Sequence, residues 1–198
     1  MFTGIIEELG RVKKIARRGG VFFLEISAKK TLQDTKIGDS VAVNGVCLTV
    51  VAMGNDSFGF EVMPQTFKNT NLGLCRQLQE VNLERSLKIG DRVSGHFVSG
   101  HVDCLGLVRR KNLRNGSLDF EISVPPAFIS YCLPKGSVSV DGISLTLASV
   151  GANSFKICII PHTLKNTTLS FAGPSDKLNV EFDMLAKRAK MQNIECSR

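Results

Sequence analysis

The chain lacks tryptophan altogether and carries one tyrosine and three histidines among 198 residues. Aromatic platforms for stacking single-stranded bases are therefore scarce, although a net charge of +7 would otherwise invite a polyanion. Long apolar runs are missing too. None approaches the roughly 20 residues needed to span a bilayer, so no membrane partner is expected. The opening MFTGIIEELG has neither the basic start nor the long apolar core of a secretory leader, and the expected location is cytoplasmic. Metal-ligand spacing is absent: Cys47, Cys75, Cys104, Cys132, Cys158 and Cys196 are scattered, with no C-x-x-C pair, as reduced thiols of a cytosolic fold would be. Phosphate loops are absent as well, since neither G-x-x-x-x-G-K-[ST] nor a strand-linked G-x-G-x-x-G occurs, and no nucleotide cofactor is indicated.

What is present is an ordinary globular balance, 43% hydrophobic and 22% charged. The basic clusters, Lys13, Lys14, Arg17, Arg18 and Arg109, Arg110, Lys111, Arg114, are each followed by Gly-Gly or Asn-Gly. They read as solvated hairpin tips, so the charge favours solubility and no nucleic-acid partner is expected.

The dominant feature is an internal duplication. GDSVAVNGVCLTVVAMGNDSFGFEVMPQTFKNTNL aligns without a gap on KGSVSVDGISLTLASVGANSFKICIIPHTLKNTTL. An offset of 97 carries Gly45 to Gly142, Thr49 to Thr146, Pro64 to Pro161 and Asn82-x-Glu84 to Asn179-x-Glu181. The opening MFTGIIEELGRV matches FVSGHVDCLGLV at an offset of 96. The chain therefore reads as two homologous domains, 1–95 and 96–183, and a C-terminal helix over 184–198.

Each half alternates like β-structure. Asn44-Gly45 signals a hairpin, Val46, Leu48 and Val50 share one face of the next strand, and Cys47 and Thr49 share the other. Many short strands at regular spacing predict an all-β fold of sandwich or barrel type. Pro64–Leu72 and Pro161–Leu169 read as short helical turns with Pro at the start. Asp183 is placed to cap the final helix, which has little to bury against in its own domain and hints at self-association.

Cys47 with Thr49, and Ser144 with Thr146, recur at equivalent positions. If their face lines a pocket, they can hydrogen-bond a flat heteroaromatic ligand and Cys47 can act as a nucleophile; otherwise they are small residues filling a barrel interior. His96 and His101 lie five apart, on opposite faces of a strand, which disfavours a shared metal and leaves proton transfer or a structural role open. Thr3-Gly4 and Ser99-Gly100 suit close backbone approach to a ligand or a sharp turn.

MFTGII, NGVCLTV, GHFVSGHVD and DGISLTL, in that order over essentially the whole chain, resemble the riboflavin synthase family of lumazine-binding proteins. The resemblance implies two six-stranded Greek-key barrels with a short C-terminal helix, a homotrimer, no cofactor and no metal. It also implies two molecules of 6,7-dimethyl-8-ribityllumazine as substrate, with lumazine synthase as a candidate partner. By position, one pocket is implied at Thr3, Gly4, Ile5, Ile6, Cys47, Leu48, Thr49 and Glu61, Val62, Met63, Pro64, Gln65, Thr66. The other is implied at Gly100, His101, Val102, Lys135, Ser144, Leu145, Thr146 and Ile160, Pro161, His162, Thr163, Leu164, Lys165. Chemical roles are implied for Phe2, Ser40, Cys47, His96, His101, Ser144 and Asp183, with Cys47 or a bound water as nucleophile and His96 or His101 assisting proton transfer. Gln65 and His162 stand where the family often has Glu, so that charge is not required. A non-catalytic lumazine or flavin carrier of the same family is the alternative.

Overall fold

The computed structural model describes residues 1–114 and 117–195. The first half forms β1 (Glu8–Arg18), β2 (Val21–Ser27), β3 (Ser40–Val43), β4 (Val46–Met53), β5 (Ser57–Val62), helix α1 (Pro64–Asn69) and β6 (Glu80–Arg85). The second forms β7 (Cys104–Arg114), β8 (Ser117–Ser123), β9 (Ser137–Val140), β10 (Ile143–Val150), β11 (Ser154–Ile159), helix α2 (Pro161–Lys165) and β12 (Lys177–Phe182), and helix α3 (Met184–Glu195) follows. Each set of six strands closes into an antiparallel barrel, β1-β2-β5-β4-β3-β6 and β7-β8-β11-β10-β9-β12. Closure leaves no open edge. Register shifts recur at equivalent places, between Val12 and Lys14 and between Val108 and Arg110, and again in β4 and β10. Such bulges sharpen the bend a small barrel needs.

Alternation decides what faces inward. In β4, Val46, Leu48 and Val50 are buried while Thr49 is exposed and Cys47 is half-buried. Phe58, Phe60, Leu24 and Ile26 fill the first barrel; Phe120, Ile122, Phe155 and Ile157 fill the second, all fully buried. Each such side chain is worth about 1.5–3 kcal/mol. Because bulky residues occupy both lumens, Cys47/Thr49 and Ser144/Thr146 are not interior filling; they stand on the outer walls.

The barrels meet back to back at their hairpin tips. Asn44 and Asp141 have φ of 46° and their glycines φ of 75° and 80°. A Cβ on Gly45 would lie 2.5 Å from the Gly142 nitrogen, so only glycine permits the approach. A buried polar seam locks the tips: Asn82 N–H donates to Asn44 Oδ1, Asn179 N–H to Asp141 Oδ1, Asn82 Nδ2 to Asp141 O and Asn179 Nδ2 to Asn44 O. The first two bonds lie within a barrel and the last two cross the seam, so the amide groups of Asn82 and Asn179 are satisfied on both sides.

Of the basic clusters, Lys14, Arg17, Arg18, Arg109 and Arg110 are exposed, as expected of hairpin tips, and Lys13 and Lys111 are half-buried. Lys111 is half-buried and donates to the carbonyls of Leu169, Ser170 and Ala172, and Arg18 lies 3.9 Å above the Phe23 ring. Asn115-Gly116 and the final Cys196-Ser197-Arg198 lie outside the described residues. Asp183 does cap α3, its Oδ1 accepting from Leu185 N–H at 2.9 Å. The helix is tied to its own barrel by polar contacts, Lys187 to Asp103 at 2.8 Å and Lys190 over the Tyr131 ring, while none of residues 184–190 is buried and Leu185 is exposed. Among the described residues no disulfide forms, and burial pushes the Cys75 and Cys104 thiols up to about 12.

Candidate functional site

Two short segments, 2–6 and 98–102, lie outside the barrels and bridge them. Phe2 and Val98 pair with each other, N–H to carbonyl in both directions at 2.7 and 3.0 Å. Gly4, with φ of 77°, accepts on its carbonyl from Ser144 N–H at 2.8 Å; Gly100, with φ of 80°, accepts from Cys47 N–H at 2.9 Å. Ile6 packs against the second barrel's core and Val102 against the first. The bridging segments thus cross over. Gly4 and Ile6 reach the barrel of Ser144, and Gly100 and Val102 reach the barrel of Cys47, while Ile5 lines a cavity with Glu7, Glu84 and Arg85 of the first barrel. Sequence order could not show this, because each segment is a neighbour in the chain of one barrel and a neighbour in space of both.

On the first wall Cys47 is half-buried beside Phe2 and Gly100, Thr49 is exposed, and Ser40 is the cross-strand partner of Thr49. His101 follows Gly100 there and is exposed. Cross-strand partners share a face of the sheet, so Ser40, Cys47 and Thr49 present one outward polar surface.

The second wall is built alike but differs in chemistry. Ser144 Oγ lies 2.7 Å from His96 Nδ1, a contact that either group can make as donor. His96 Nε2 is buried without a partner, and so is Ser139 Oγ, whose residue sits directly across from Ser144. Burial lowers the pKa of His96 below its ordinary value, and the Asp183 carboxylate partly opposes the shift. At neutral pH this imidazole is uncharged, able to accept at one nitrogen and donate at the other. The buried orphan atoms beside Ser144 are the groups that gain most from a polar ligand on this wall.

The remaining sequence candidates fall into three groups. Phe2 is fully buried with Ala42 and Val98, so its ring packs the segment and touches no open surface. The side chains of Leu48, Leu145 and Val62 point into barrel cores, at 6%, 9% and 1% exposure, and only their backbone can face a ligand. Glu61, Met63, Pro64, Gln65, Ile160, Pro161, His162 and Lys165 are exposed around α1 and α2, with Thr66, Thr163 and Leu164 half-buried. Pro64 and Pro161 open these helices as expected. Lys135 is exposed on a turn with φ of 64°. Two residues escaped the sequence reading: Glu84 and Glu181, buried carboxylates that hold the bridging segments. Their signal was an Asn-x-Glu repeated at the same place in both closing strands. A cleft of about 760 Å³ lies elsewhere between the barrels, lined by Arg11, Asn71, Asp141, Thr168 and Lys177 among others and by none of the candidates.

Known proteins with this arrangement carry a consistent set of names. The sequence model of the lumazine binding domain matches residues 3–86 and again 99–183. Riboflavin synthase of Actinobacillus pleuropneumoniae is 41% identical over 187 residues, covering 94% of this chain and 87% of that one. Riboflavin synthase of Bacillus subtilis is 39% identical over the same shares, and that of Mycobacterium bovis is 40% identical over 191 residues. Among solved structures, LumP complexed with 6,7-dimethyl-8-(1'-D-ribityl) lumazine superposes with a TM-score of 0.83 at 22% identity, covering 92% of this chain and 99% of that one.

Proposed function

The chain belongs to the riboflavin synthase family of lumazine-binding proteins, and from that footing we propose that it dismutates 6,7-dimethyl-8-ribityllumazine. One molecule gives up a four-carbon unit to the other, yielding riboflavin and 5-amino-6-ribitylamino-2,4-pyrimidinedione, a transferase reaction. The observation that carries this reading is the pair of twin outward walls, Cys47/Thr49 and Ser144/Thr146, each completed by a glycine segment. A reaction that consumes two copies of one molecule calls for two related sites, and holding both replaces a bimolecular encounter with an oriented one.

The chemistry needs little beyond the substrate. One lumazine loses a proton from its acidic 7-methyl group, and its ring delocalises the carbanion. The other is activated by addition at C7, from Cys47 or a bound water. His96, neutral and bonded to Ser144, is the proton acceptor best placed on the second wall. Walls that face outward must meet a partner surface to enclose two rings. We therefore place the productive site between subunits of a homotrimer, the first barrel of one facing the second barrel of its neighbour. We assign the reaction to the cytoplasm, with lumazine synthase as a partner.

The test is direct. Purified protein mixed with 6,7-dimethyl-8-ribityllumazine, without metal or nucleotide, should develop riboflavin absorbance. Binding with no product would move the assignment to a lumazine carrier.

A further inference from the structure

We propose that Glu84 and Glu181 are positioning residues wired crosswise: each buried carboxylate stands in one barrel and sets the segment that completes the wall of the other. Glu84 lies on β6 and is 5% exposed; Glu181 lies on β12 and is 4% exposed. Glu84 Oε1 accepts from Thr3 N–H at 2.7 Å and from Thr3 Oγ1 at 2.8 Å, and Oε2 accepts from Gly4 N–H at 3.0 Å. Glu181 repeats the pattern with Ser99 N–H at 2.7 Å, Ser99 Oγ at 2.6 Å and Gly100 N–H at 2.9 Å. Neither carboxylate has an ion-pair partner among the described residues. Backbone and hydroxyl donors hold each carboxyl group, in a concave nest that needs glycine's positive φ; burial raises the pKa of Glu84, and the Thr3 and Gly4 donors oppose the shift.

The consequence follows along the segment. Gly4, fixed by Glu84 of the first barrel, presents its carbonyl to Ser144 of the second, which in turn meets His96. Gly100, fixed by Glu181 of the second barrel, presents its carbonyl to Cys47 of the first and leads into His101. The tolerance is small. A Cβ on Gly4 would stand 2.6 Å from Ser144 Cβ, and one on Gly100 would stand 2.5 Å from Cys47 Cβ. A slip of under an ångström in either segment therefore alters the wall it touches. A buried acid recurring in both halves of the duplication is explained by this duty, since an apolar residue would suit the strand better.

This inference rests on the reading of the two walls as the lumazine sites, but its test does not use turnover. Glu→Gln keeps size and one acceptor oxygen while setting an NH2 against the glycine N–H. In Glu181→Gln, iodoacetamide modification of Cys47, followed by peptide mass spectrometry, should accelerate roughly tenfold, as loss of a charged hydrogen bond predicts. In Glu84→Gln it should change less than about twofold. The ring resonances of His96, assigned with a His96→Gln variant and followed by NMR titration, should shift in Glu84→Gln and stay in place in Glu181→Gln. Thr3→Val removes a single donor, and Ser99→Ala removes one donor together with the acceptor of the His101 N–H; both leave the carboxyl groups in place and should reproduce the crossed pattern at roughly threefold, and they decide the matter should a glutamine variant fail to fold. Effects confined to the home barrel, or absent from both, would overturn the wiring. A crossed pattern in a protein that makes no riboflavin would leave the wiring standing and remove the enzymatic reading instead.

Discussion

The Cys47 wall and the Ser144 wall share a backbone and differ in their polar equipment. Both are the outer face of the second strand of a β-hairpin, both carry a threonine two residues on, and both receive a glycine carbonyl from a bridging segment. Yet Cys47 packs in a small apolar cluster with Phe2, whereas Ser144 holds a half-buried histidine and faces Ser139 where the first barrel has Ala42. The difference comes from the connection between the halves, which occurs once. Gly95-His96 runs past Thr3, with His96 N–H donating to Thr3 O at 3.1 Å, so the Ser144 wall holds a histidine bonded to its hydroxyl while His101, which follows Gly100, stays exposed. Duplication supplies two similar walls; the single connector makes them unequal.

That comparison can be broken most forcefully at the glycines. Gly4→Ala and Gly100→Ala combine a positive φ with a contact under 3 Å to the facing wall, and each should lower kcat/KM by about 100-fold or more, from a few kcal/mol of strain and misplacement. Near-normal turnover in either variant would show that the close approach is not required. Next comes the imidazole. His96→Ala should cut kcat by about 100-fold, the lower end for a lost proton-transfer group, with a smaller effect from His101→Ala and a smaller one still from Cys47→Ser, where a hydroxyl keeps a hydrogen bond. Steady-state rates that place Cys47→Ser first would reverse the roles of the walls.

The seam between the barrels offers a sharper contrast, because Asn44 and Asp141 are structural twins of unequal charge. Burial lifts the Asp141 carboxyl to about 7 from an ordinary 3.8, with Asp176 adding to the shift and the N–H groups of Asn179 and Asn71 opposing it. The folded protein thus keeps a proton that the unfolded chain gives up near pH 4, so this group's contribution is full below that pH and is lost as pH rises toward 7. Urea unfolding should show a decline on the order of 2–4 kcal/mol between pH 4 and pH 8, flattened in Asp141→Asn. An unchanged slope in the variant would assign the pH dependence to other groups. The smallest effect is expected at Asp183. Its carboxylate opposes the burial that lowers the His96 pKa, so Asp183→Asn, which retains a helix cap, should move the acid limb of the rate profile to lower pH. A limb that stays fixed would detach Asp183 from His96.

Much of this architecture was legible in residue order. The duplication followed from the gapless repeat, the hairpins from Asn44-Gly45 and its counterpart, and the shared face of Cys47 and Thr49 from two-residue alternation. The carbonyl contacts of Gly4 and Gly100 were not legible, nor was the contact between His96 and Ser144, which joins residues 48 apart. Glu84 was visible as a repeated letter but not as an anchor, since its partners lie 80 and 81 residues away.

Local alternation, turn chemistry and repetition determined that there would be two homologous β-domains and which side chains would share a face, because those depend on neighbours a few positions apart. That each domain closes into a barrel with Cys47 and Ser144 facing out, which barrel each glycine segment would meet, and which wall would bond a histidine to its hydroxyl were decided only by tertiary structure. The last two outcomes depend on how two closed barrels dock at their hairpin tips, a matter of shape and buried hydrogen bonds between residues remote in the chain.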